Sequence, residues 1–173
     1  MIVSIAVLAI VALQRLGELA LSARNTRGLM ARGAREAGAG HYPLIVALHA
    51  AWLAGLAGLA WDRPVIWPWL GVFLALQAAR AWTILSLGRR WTTRIIVLPG
   101  APPVSRGPYR FLKHPNYVVV AAEIIVLPLA FGLEAYAMAF GIMNAALLLV
   151  RIRAEDAALA AGSRDAAFTA AAR

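Results

Sequence analysis

The chain has no cysteine among its 173 residues, which excludes disulfides, thiolate nucleophiles and thiolate-bound metals. Histidine is scarce as well. His41, His49 and His114 are the only three, a poor supply for a multi-histidine metal site. Charge is the third shortage: 14% of residues are charged and 62% are hydrophobic. A soluble domain of this size needs far more polar residues to cover its surface. The shortages together point to an integral membrane protein.

A helix crosses the hydrocarbon core with about 20 apolar residues, and with somewhat fewer where it ends in polar surroundings. Five stretches qualify: residues 2–21, 43–60, 65–87 (interrupted by Arg80), 117–131 and 135–150. The expected fold class is all-α, a single polytopic membrane domain over 1–173 with five transmembrane helices. Phe131-Gly132-Leu133 leaves little room for a loop, so the last two spans are expected as a short hairpin. A soluble four-helix bundle would carry a polar stripe on each helix, and 43–60 has almost none. The opening MIVSIAVLAIVAL lacks the basic n-region of a secretory signal and runs into Gln14, Arg15 and Glu18. It reads as a retained helix.

The formal charge of +9 is distributed unevenly. Arg24, Arg27, Arg32 and Arg35 lie between the first two spans. Arg89, Arg90, Arg94, Arg106, Arg110 and Lys113 lie between the third and fourth, and Arg151, Arg153, Arg164 and Arg173 follow the fifth. The intervening connections offer Arg63 and Glu134. Short basic stretches between apolar runs fit the cytoplasmic side of a membrane better than a nucleic-acid surface. The expectation is a bacterial inner-membrane protein with its N-terminus outside and its polar ends in the cytoplasm.

Polar residues inside spans are costly and face a packed interior or a cavity. Gln14, Glu18 and Ser22, spaced by four, share one helix face, and Arg15 is placed to pair with Glu18. Gln77 and Arg80 form a second polar edge, and His49 stands alone on the second span. For each, a structural clasp competes with a ligand contact. In the fourth span Asn116 and Glu123 share a face. His114 and Tyr117 address another region, and Pro115 suits the helix start. An arginine partner, Arg80 or Arg15, would keep Glu123 charged. Along the end of the fifth span and past it, Asn144, Leu148, Arg151 and Glu155 form one stripe. Arg151 and Glu155 are placed to pair, with Asp156 beside them and Arg153 on another face. The turn-rich segment IIVLPGAPPVS, 95–105, is either a plain linker or a lid over a pocket.

Lys113-His114-Pro115-Asn116-Tyr117, followed after a hairpin by Arg151-Ile152-Arg153-Ala154-Glu155-Asp156, resembles the C-terminal core of the isoprenylcysteine carboxyl methyltransferase family. That pattern is Arg-His-Pro-x-Tyr-x-Gly, a helical hairpin, then Arg with a Glu-Glu pair. Here Lys113, Val119 and Asp156 stand where the pattern has arginine, glycine and the second glutamate. The strings QRLGELALSARNTRGL, ARGAREAGAGHYPLIVALH and GRRWTTRIIVLPGAPPVSRGPYRFLKHPNY extend the likeness over nearly the whole chain. They resemble a bacterial branch encoded beside type III polyketide synthases and associated with O-methylation of alkylpyrones or alkylresorcinols.

The resemblance implies a membrane O-methyltransferase that uses S-adenosylmethionine, with a cofactor-binding core at about 88–160 and an acceptor arriving from the bilayer. By the same resemblance, His114, Pro115, Tyr117, Glu155 and Asp156 contact the cofactor, and Arg110 or Lys113 meets its carboxylate. Arg151 is the candidate for steadying an acceptor oxyanion, and Glu155, before Glu123, the candidate base. The expected acceptor is a long-chain alkylpyrone or alkylresorcinol hydroxyl. The alternatives are a prenylated C-terminal carboxylate, a lipid-binding protein without catalysis, and a nicotinamide-dependent reductase.

Overall fold

The structure, a computed structural model, describes residues 1–171, with side-chain surroundings up to residue 161. Arg173 lies outside the described residues, and Arg164 lies outside the described side chains. Five helices follow one another: α1 (Ile2–Met30), α2 (Tyr42–Ala60), α3 (Trp67–Leu87), α4 (Pro115–Leu129) and α5 (Glu134–Ala171). Among the described residues, four helices are long and apolar enough to cross a membrane: α1, α2, α3 and α5. Their outward surfaces support this reading. Leu13, Leu74, Leu85 and Ile142 are exposed, and only 17% of the most apolar window of α1, α2 and α5 is buried within the protein. Such a surface suits lipid and not water.

The helix ends follow local chemistry. Pro43 and Pro68 sit in the first turns of α2 and α3, where proline's missing N–H removes no helical bond. Past α1, Gly33 at φ 84° reverses the chain. Helix α4, with Pro115 at its start, has 15 residues and spans about 22 Å, well short of the roughly 30 Å of a bilayer core. Its Tyr117, Val119, Glu123, Ile124 and Leu127 are all buried. Past the apolar run that ends at Val150, α5 continues without a break through the charged stripe to Ala171, in keeping with the helical spacing of Arg151 and Glu155, because arginine, glutamate and alanine are good helix formers.

Two short strands were not anticipated. β1 (Arg35–Ala37) pairs antiparallel with β2 (Ile95–Val97), placing Arg35 opposite Val97 and Ala37 opposite Ile95. The 95–105 segment is thereby pinned to the connection after α1 and is not a free linker. The core lies among α2, α3 and α4, around Trp52, Leu56, Phe73, Ile124, Leu127 and Phe131. Trp52 satisfies its indole N–H on the Ile124 carbonyl, 3.1 Å away.

Candidate active site

Two polar systems occupy the bundle. The deeper one is a closed set of ions. Arg80 donates to both oxygens of Glu18 and, through Nη1, to Glu123 Oε2 at 2.8 Å. Arg15 bridges the same two carboxylates, at 3.1 Å to Glu18 and 2.8 Å to Glu123. Gln77 donates to Glu123 Oε1 at 2.8 Å, and Gln14 donates to both Gln77 and Glu18. Glu123 thus takes both arginines that the sequence offered as alternatives. Two guanidinium groups against two carboxylates leave no net charge, which makes burial tolerable.

The second system lies where α4 begins and where α5 turns polar. His114 Nε2 lies 3.1 Å from Asp156 Oδ1, and its Nδ1 lies 3.3 Å from Glu155 Oε2. Lys113 Nζ pairs with the same Asp156 oxygen at 2.8 Å. The imidazole stacks on the Tyr117 ring, centroids 5.3 Å apart. Buried Arg151 donates from Nε to the Tyr117 hydroxyl at 2.7 Å, and that hydroxyl donates to Glu155 Oε2 at 2.6 Å. Arg151 and Glu155 are therefore joined through Tyr117, where the sequence suggested a direct pair. Arg151 Nη2 also donates to the Thr93 carbonyl at 2.8 Å, tying the 91–97 segment to α5.

Two cavities flank this system. The larger, about 400 Å³, is lined by Lys113, His114, Glu155, Arg90, Tyr109 and Leu98, among others. Its volume falls in the usual range for small-molecule sites. The smaller, about 150 Å³, is lined by apolar side chains of α1, α2, α4 and α5, including Leu19, Ile45, Val46, Val120 and Leu148. It also borders the deep ion set through Arg15, Glu18 and Arg80. Trp91, Asn116, Tyr117 and Arg151 line both cavities and form the wall between them. Pro103, Val104 and Ser105 line the larger one, so the 95–105 segment is part of a binding wall.

Most of the candidate residues converge here, and three do not. Arg110 is exposed, its guanidinium over the Phe111 ring, and lines neither cavity. Pro115 is buried as the first residue of α4 and fixes the approach of His114. Glu123 belongs to the deep ion set and also lines neither cavity. Val119 is buried away from both. Sequence reasoning missed Tyr109, Trp91, Thr93 and Tyr42. The first stands in GPYR just before the histidine motif, which was the available signal. Trp91 and Thr93 lie in a connection and Tyr42 opens α2, and their placing depends on distant partners. Thr93, for example, is held by Ser22 and Tyr42, at 2.8 and 2.9 Å. Burial and the charge of Glu155 push the Tyr109 phenol well above its usual range, so it stays protonated at neutral pH.

Comparison with known proteins falls on the same region. A Bacillus subtilis (strain 168) protein named "Uncharacterized protein YpbQ" is 42% identical over 158 residues, covering 88% of this chain and 94% of its own length. No solved structure matches the chain. Residues 69–161 match the isoprenylcysteine carboxyl methyltransferase (ICMT) family. That stretch runs from α3 to the polar part of α5 and contains His114, Tyr117, Arg151 and Glu155. The chain belongs to the isoprenylcysteine carboxyl methyltransferase family.

Proposed function

We propose that this protein is a membrane methyltransferase that uses S-adenosylmethionine to methylate an oxygen of a lipophilic acceptor held in the bilayer. The observation that carries the reading is the shared wall. A larger cavity that carries Arg90, Lys113, His114 and Glu155 among its lining residues and a smaller, more apolar one meet at Tyr117 and Arg151.

The family implies the cofactor, and the residues of the larger cavity fit it. Glu155 supplies an acid for the ammonium group, Arg90 and Lys113 supply donors for the carboxylate, and Tyr109 with Leu98 supplies apolar wall for the adenine. Within the wall, Trp91 Nε1 and Asn116 Oδ1 are buried without a protein partner, a donor and an acceptor suited to a polar ligand. His114, stacked on Tyr117 and held by Glu155 and Asp156, fixes the floor of this cavity. When bound, the cofactor supplies an electrophilic methyl group on a sulfonium. The protein's share is alignment, because in-line displacement is governed by how closely acceptor oxygen and methyl carbon are held. Arg151, locked by Tyr117 and Thr93, presents its cation to the acceptor oxygen and stabilises its negative charge.

The family name speaks for a prenylated C-terminal carboxylate as acceptor, and such an oxygen needs no base. A second reading, the hydroxyl of a long-chain alkylpyrone or alkylresorcinol, is supported by the Tyr117–Glu155 hydrogen bond, which offers a route for a departing proton. In both, α4 and α5 form a helical hairpin, α4 is a fifth span shielded by its neighbours, and the site faces the cytoplasm. The basic residues around the larger cavity support that orientation. The test is product mass after incubation of purified protein with S-adenosylmethionine and prenylcysteines, long-chain pyrones and resorcinols. A gain of one methyl on one class identifies chemistry and acceptor together, and no gain on any class rejects the proposal.

A further inference from the structure

The lining of the smaller cavity is not all hydrocarbon: it includes Thr93 and Arg151, and also Arg15, Glu18, Arg80 and His49. Two helices measure the distance between these two groups. On α2, Tyr42 bonds Thr93 and His49 lies seven residues further on. On α1, Ser22 bonds Thr93 and Arg15 lies seven residues back. Each offset is two helical turns, about 10 Å. The lining of the cavity, about 150 Å³ in volume, therefore extends from the level of Arg151 toward the middle of the bundle.

His49 is the notable member of the deep end. Its Nδ1 lies 2.8 Å from the Ile45 carbonyl. A carbonyl only accepts, so Nδ1 carries the proton, and in the neutral ring Nε2 is an acceptor. The one hydrogen bond of the ring among the described residues is this one through Nδ1, and the ring lines the cavity, which leaves Nε2 for a ligand. Arg15, Glu18 and Arg80 line the same cavity, and with Glu123 they pair into the neutral set already described. Arg15 Nε is buried without a partner, so this part of the cavity offers a donor beside the His49 acceptor. A hydroxyl, which both donates and accepts, is the smallest neutral group that answers both.

We infer that His49 is the centre of a second recognition point within the membrane, selecting acceptors that carry a neutral hydroxyl about 10 Å from the methylated oxygen. The inference rests on the reading of the apolar cavity as the acceptor site. His49 acts here as a specificity residue, too far from the reacting oxygen to serve as its base.

The test is binding, measured without turnover. Detergent-solubilised protein is titrated with 3-pentadecylphenol and with its counterpart hydroxylated at the fifth chain carbon, which sits at roughly the required span from the phenolic oxygen. The wild type is expected to bind the hydroxylated compound at least about tenfold tighter. His49→Phe is expected to abolish that preference, and His49→Gln, which retains an acceptor, to keep part of it. Equal binding of the two compounds by the wild type, binding of neither, or an undiminished preference in His49→Phe overturns the inference. A methyl-transfer assay on the same two compounds separates the claims. Preference without methylation removes the phenol reading of the reaction and leaves the recognition point standing.

Discussion

The Tyr117 hydroxyl accepts from Arg151 and donates to Glu155, so one oxygen sets the positions of both. Tyr117→Phe keeps the ring and its stack on His114 but frees the guanidinium. The expected outcome is a fall of about a hundredfold in kcat for methyl transfer, with KM for S-adenosylmethionine changed less than about threefold. Steady-state kinetics on the acceptor identified by product mass checks it. Glu123 belongs to stability instead. Glu123→Gln keeps hydrogen-bonding atoms but leaves two arginines facing one carboxylate, and losing one partner of a buried ion pair costs about 3–5 kcal/mol. Thermal unfolding in detergent should fall sharply, while the pair Arg15→Met with Glu123→Leu should recover part of the loss. Much of this was legible beforehand. A carboxylate inside an apolar span demands an arginine, and few arginines were in reach. That Tyr117 would come between Arg151 and Glu155 was not legible, because it depends on how α4 and α5 lie against each other.

Connections decide the shape of the site. Gly107 has φ +59°, and a Cβ there would fall 2.0 Å from Ser86 Oγ and 3.2 Å from Trp82 Nε1. Its neighbour Arg106 donates to the Ser86 carbonyl at 2.7 Å, so the turn before the histidine motif is docked on the end of α3. Gly107→Ala should destabilise the protein by about 1–3 kcal/mol, read as a lowered unfolding midpoint. It should also weaken binding of S-adenosylhomocysteine, because Tyr109 moves with this turn. At this scale the sequence was read unevenly. Apolar runs and helix-start prolines placed α2, α3 and α4 to within two residues at most ends. The stripe of Asn144, Leu148, Arg151 and Glu155 carried the helical spacing past the apolar run that ends at Val150, and α5 follows it. The β1–β2 pair had no local signal, since three-residue strands are defined by their partner and not by their own pattern.

Across the whole molecule, four long apolar helices accompany a shorter one, packed chiefly on α3 and α5, that carries Glu123, the most deeply buried carboxylate among the described residues. The absence of cysteine makes the topology directly measurable. Single cysteines at Arg35 and Ser105 should react with a membrane-impermeant maleimide only when the cytoplasmic face is opened, and one at Asp62 should react in intact cells. The reverse pattern would place the site outside. Charge bias is the ground for expecting this orientation. The meeting of two cavities at one wall was not legible, because residues from 91 to 151 converge there only through the fold. The most direct measurement of the central claim is a structure with S-adenosylhomocysteine and a long-chain acceptor bound together. The prediction is that the first lies against His114, Tyr109 and Glu155, the second between α1 and α2, with the acceptor oxygen beside Arg151 and directed at the sulfur. Ligands separated by an intact Tyr117–Arg151 wall, or S-adenosylhomocysteine bound elsewhere, would contradict it.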